Sequence, residues 1–125
     1  MAALRILICL YALMFVVIGV GFFVAPAETA ARFALIGQGA PGLAVLRADF
    51  PAFFICTGGF AILGALRQDP RLLAFPLAGL SIAISGRAVS LALDGFTPGA
   101  LTPMVIEALG IVLLAVAVRS FGSRA

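Results

Sequence analysis

The chain has 125 residues, of which 64% are hydrophobic and only 10% charged, with a net charge of +3. A water-soluble domain carries ~25% charged residues, and a disordered chain is more polar still, so both classes are excluded. There is no His, Lys or Trp, which removes His-based triads, His-ligated metal or haem, a Walker A loop and Schiff-base chemistry.

A membrane-crossing helix needs ~20 mostly apolar residues, and four apolar runs of about that length can be read along the chain. The first covers residues 6–24, after Arg5. It is longer than the ~7–15-residue core of a signal peptide, so an uncleaved helix is expected, ended with the help of Pro26. Residues 28–36 then predict a short interfacial helix stopped by Gly37. Glu28 and Arg32 would share one of its faces, with Phe33, Leu35 and Ile36 dipping into lipid. Residues 37–42, rich in Gly and Pro, predict a turn.

The second span is expected over 48–66, with Pro51 near its start and Thr57, Gly58, Ala61 and Gly64 as a small-residue packing face. Residues 67–71 form a tight polar turn in which Asp69 reads as solvated. The third span covers 72–93, a second turn covers 94–99, and the fourth span covers 100–118. The fold class is therefore all-α: one domain, a membrane bundle of four transmembrane helices with a short interfacial helix after the first. Cys9 and Cys56 lie in apolar runs toward opposite ends of their helices and are read as unbridged packing residues. Tyr11, inside the first span, should find a hydroxyl partner within the bundle.

Four spans put both termini and the 67–71 turn on one side. That side holds Arg5, Arg67, Arg71, Arg119 and Arg124 against Asp69, a net +4. The other holds Arg32 and Arg47 against Glu28, Asp49 and Asp94, a net −1. The positive-inside rule then predicts cytoplasmic N and C termini.

Arg87 and Glu107 fall within spans and cancel. Each costs ~2.5–3.5 kcal/mol to insert alone. Each lies ~10 Å from the same end of its helix, so an Arg87–Glu107 ion pair is expected. Arg87, Ser90 and Asp94 share a helix face, while Arg47 and Asp49 would start the second span and Thr102 the fourth. Arg47, Asp49, Arg87, Ser90, Asp94 and Glu107 would thus form an outward-opening pocket under residues 27–46. Its Arg forks would suit a carboxylate or phosphate, and Phe22-Phe23 and Phe53-Phe54 could flank an apolar tail.

The same residues also fit a structural clamp, or a carboxylate acid or base acting on a lipid-soluble substrate. Three functions follow: a membrane protein binding a small amphiphilic or anionic ligand; an accessory or self-associating subunit of a larger membrane complex; or an intramembrane isomerase or hydrolase. Membrane lipids are the expected partners, with a homo-oligomer as a further option. No cofactor or metal is expected, and the scattered charge gives no nucleic-acid surface.

Arg47-Ala48, Gly58-Gly59, Gly86-Arg87 with Ser90, Asp94-Gly95 and Glu107 together resemble a bacterial family of small four-helix membrane proteins defined as a domain of unknown function, loosely DoxX-like. The chain departs from it at Pro51-Ala52, where the family tends to small Gly residues. The resemblance implies a four-helix inner-membrane protein and no particular activity.

Overall fold

The computed structural model describes residues 1–123; Arg124, counted in the charge balance, lies outside them. Its helices are α1 (Ala2–Val24), α2 (Pro26–Ala31), α3 (Gly39–Arg67), α4 (Pro70–Asp94) and α5 (Leu101–Gly122), with a 3-10 turn at Pro98–Ala100 before α5. Among the described residues there is no strand. Four helices are long and apolar enough to cross a membrane. Leu10, Val17 and Val20 of α1 and Val105, Leu109, Val112 and Val116 of α5 are all exposed. In water such faces would drive aggregation; in lipid they are the solvent-facing surface. The chain is a multi-pass, all-α membrane bundle.

Two expected boundaries move. The Gly/Pro-rich stretch ends at Gln38, and α3 starts at Gly39 rather than near residue 48. Pro51 therefore stands well inside α3, where it is buried. Residues 39–42 are helical because Gly39 accepts a φ of 64° and Pro41 occupies the first turn, where no amide partner is missed. Packing adds to this: Leu43 and Leu46 sit against the cluster of Phe22 and Ala30. The short helix is also displaced. It spans Pro26–Ala31 and is closed by Ala34 in the left-handed region (φ 56°), not by Gly37, with the Leu35 amide donating to the Ala30 carbonyl at 2.9 Å. No Glu28–Arg32 ion pair forms among the described residues. Leu35 packs on the Phe22 cluster, Phe33 makes a ring contact with Phe22 while staying exposed, and Ile36 is almost fully exposed.

α1 packs most extensively on α3, α4 on α5, and α3 on α4, with a smaller α1–α5 contact completing the ring. The α1–α3 approach depends on glycines. A Cβ on Gly58 would sit 2.6 Å from the Ala12 carbonyl and 2.7 Å from Val16, and one on Gly19 would sit 2.6 Å from Ile55. The small face of α3 is thus consumed inside the chain, by α1 through Gly58 and by Leu73 of α4 at Gly64.

The α3–α4 turn is short. Gln68 is left-handed, the Asp69 amide donates to the Gly64 carbonyl, and Asp69 caps α4 by accepting from the Arg71 amide at 2.9 Å. Asp69 is an N-cap, beyond the solvated turn residue expected. Arg5 donates to the Ala65 and Leu66 carbonyls at 3.0 and 3.2 Å, satisfying the C-terminal end of α3.

The main core joins Ile8, Ala12 and Phe15, Ala61 and Ala65, Leu73 and Leu80, and Leu114, Ala117 and Phe121. It fills the end of the bundle that carries the N terminus and the α3–α4 turn. Beyond Leu80 no residue of α4 is buried. The bundle is closed at one end and open at the other.

Gly58→Ala should lower the melting midpoint in detergent, because a methyl there meets backbone; overpacking of this kind costs ~1–3 kcal/mol. Gly86→Ala meets nothing within 4 Å and should stabilise the helix by ~0.5–1 kcal/mol.

Candidate functional site

The open end holds a cleft of about 1230 Å³. Its walls come from α1 (Met14, Phe15, Ile18), the α2–α3 connection (Arg32–Leu35), α3 (Asp49, Phe50, Phe53, Phe54), α4 (from Leu80 to Asp94) and the start of α5 (Thr102, Ile106, Glu107).

Five of the six residues singled out from the sequence line it: Asp49, Arg87, Ser90, Asp94 and Glu107. Arg47 does not. It is exposed and lies two residues before Asp49, ~200° round the helix. Its place is taken by Arg32. The sequence predicts Arg32 on an interfacial helix, on one face with Glu28. Arg32 instead caps the C-terminal end of α2 and lines the cleft from there.

Asp49, Ser90, Asp94, Thr102 and Arg32 are exposed at the rim. The deep polar pair is Arg87 and Glu107. Nε of Arg87 donates to Oε1 of Glu107 at 2.8 Å, with the Arg87 side chain 42% exposed and that of Glu107 9% exposed. This is the expected ion pair, and it ties α4 to α5. It uses one guanidinium donor and one carboxylate oxygen. The other oxygen, Oε2, is buried and has no hydrogen-bond partner. Such an atom costs ~1–3 kcal/mol, more when charged.

One helical turn further along α5, Gly110 leaves space for Tyr11: a Cβ there would collide with the phenol oxygen. The Tyr11 hydroxyl donates to the Ile106 carbonyl at 2.8 Å, the partner within the bundle that its position called for. This bond ties α1 to α5 directly below the cleft.

The apolar wall is aromatic. Phe22 stacks on Phe50 and Phe54 at centroid distances of 4.8 and 5.7 Å, and Phe33 leans on Phe22 and Phe54. Phe53 and Phe54 face the cleft, Phe22 is fully buried behind it, and Phe23 points outward at 61% exposure. Among the described residues no cluster of His, Cys, Asp or Glu could hold a metal, and Cys9 and Cys56 are free. No family model, no curated protein and no solved structure matches the chain.

The Arg87–Glu107 pair can be measured on its own. Arg87→Leu leaves a buried carboxylate unpaired and should cost ~2 kcal/mol, discounted from the ~3–5 of a fully buried pair because Arg87 is half-exposed. Arg87→Leu combined with Glu107→Leu should recover most of that loss in a double-mutant cycle.

Proposed function

We propose that this is a small polytopic membrane protein whose cleft binds a small amphiphile, with the apolar tail against Phe50, Phe53 and Phe54 and the polar head at Arg87 and Glu107. The observation that carries this reading is the make-up of the cleft. It is aromatic along one wall, and an ion pair at its floor retains free hydrogen-bonding capacity on both partners. Pockets that bind small molecules share this plan of apolar lining with a few convergent polar groups. Asp49, Ser90 and Asp94 stand at the rim, where they meet the head group or its counter-charges. Arg32 joins them, and Arg47 has no part in the site.

We further propose that both termini are cytoplasmic and the cleft opens on the far side of a bacterial inner membrane, on the strength of the arginine imbalance between the two ends. Kinship with small DoxX-like proteins is likewise a proposal, resting on the short motifs around Arg47, Arg87 and Asp94. The accessory-subunit reading has less support, because the small-residue face that would serve as an interface is occupied by α1 and α4. No side chain in the cleft is set up as an activated nucleophile, which weighs against the hydrolase reading.

The test is mass spectrometry of what co-purifies from native membranes. Wild-type protein should carry a bound amphiphile that Arg87→Ala and Glu107→Ala each deplete; unchanged co-purification in both variants would reject the cleft as a binding site. Since the chain has no Trp, Phe53→Trp places a single fluorophore on the wall, and its emission should shift when the bound molecule is stripped. For orientation, a single cysteine placed at Ser123 in a chain lacking Cys9 and Cys56 should resist a membrane-impermeant thiol reagent in intact cells and react after lysis; labelling of intact cells would reverse the topology.

A further inference from the structure

We infer that the head group bound in this cleft is a hydrogen-bond-donating cation, an alkylammonium rather than an anion, and that Glu107 receives it. The inference rests on the amphiphile-binding reading above and gives it a chemical class.

Two independent observations point the same way. The first is the charge of the lining. Arg32 and Arg87 face Asp49, Asp94 and Glu107, two guanidiniums against three carboxylates. With Arg87 and Glu107 neutralising each other, Arg32, Asp49 and Asp94 remain, an excess of one negative charge at the rim. Arg32 supplies a second guanidinium in place of Arg47, but it stands exposed at the rim, where Asp49 and Asp94 outnumber it.

The second is Oε2 of Glu107. It is buried, lacks any donor and belongs to a residue lining the cleft. A carboxylate oxygen accepts and never donates, so what completes it must carry N–H or O–H. An anionic head without a proton adds nothing there and is repelled by it. An ammonium supplies donor and charge together, and charge-assisted hydrogen bonds are the stronger kind.

Oε2 is covered in this arrangement, so a head group reaches it as the side chains around it shift while Oε1 stays paired with Arg87. The half-exposed Arg87 side chain is free to give way as the head group enters. Phe33, Phe50 and Phe53 on the walls offer ring faces that attract a cation in a desolvated setting. The single aromatic wall suits one alkyl chain.

The experiment uses the full chain in nanodiscs of net-neutral lipid at neutral pH, with three probes sharing one tail: n-decylammonium, n-decanol and n-decanoate. Saturable one-to-one binding is read by native mass spectrometry. Decylammonium should bind best, and Glu107→Gln should weaken it about tenfold or more, the loss expected for a hydrogen bond to a charged group, with decanol little changed. If Glu107→Gln does not fold, Asp49→Asn with Asp94→Asn, at exposed rim positions, should weaken decylammonium and strengthen decanoate. Preference for decanoate, or ammonium binding indifferent to all these changes, overturns the inference and leaves the cleft reading intact. Failure of every probe to bind saturably overturns the cleft reading itself.

Discussion

An ionised group within a hydrocarbon layer must find an opposite charge, a hydrogen-bond partner or water, and the 2.8 Å contact between Arg87 and Glu107 meets that demand for two groups at once. The rest of the open end depends on it. Past Leu80, α4 has no buried residue, so it leans on no core in its last turns. Its neighbour there is α5, joined to it by a short turn and by this pair. The cleft lies between this α4–α5 hairpin and the walls supplied by α1 and α3. An apolar contact at the same height would give no reason to prefer one rotation of α4 about its axis. The ion pair does, and the rotation it selects is the one that turns Ser90 and Asp94 to the same opening.

The closed end is built on the opposite principle. Small residues let backbones approach until side chains from one helix fill notches in the next: Val16 over Gly58, Leu73 over Gly64, and Tyr11 over Gly110. Without a hydrophobic drive between helices in lipid, such close van der Waals contact supplies most of the association energy. Arg5 adds a polar tie, ending α3 with a side chain from the start of α1. The molecule is thus stiff where glycines meet and hollow where phenylalanines stand back from α4.

The parts legible in the sequence were those fixed by composition over a long window or by one-dimensional spacing. Four apolar runs gave four helices, and two opposite charges at equal depth on helices joined by a short turn gave the pair. What escaped was set by contacts between distant segments. The stretch from Gly37 to Gly42 has turn composition throughout, yet from Gly39 it is helix, because Leu43 and Leu46 pack on the Phe22 cluster. Starting α3 early carries Arg47 and Asp49 inward from a helix end to a helix side, where only one of two residues ~200° apart can face the cleft. Arg32 lines the cleft from the C-terminal end of α2, a helix end that no local preference announces. The partner of Arg5 lies sixty residues away, at a separation where only the fold can bring them together.

A clamp and a binding site place different energetic demands on Arg87 and Glu107. If holding α4 to α5 were the whole purpose, apolar residues of similar volume would serve as well or better, since a buried ion pair rarely outperforms packing. A clamp would also be expected to satisfy itself, with both carboxylate oxygens engaged by a two-pronged guanidinium. Here Arg87 uses Nε alone and leaves Oε2 of Glu107 without a donor, in a residue that lines the open cleft. A buried acceptor without a donor destabilises the bundle on its own. The pair therefore does less for the bundle than a clamp would, and on the binding reading proposed above a donating head group supplies the missing bond.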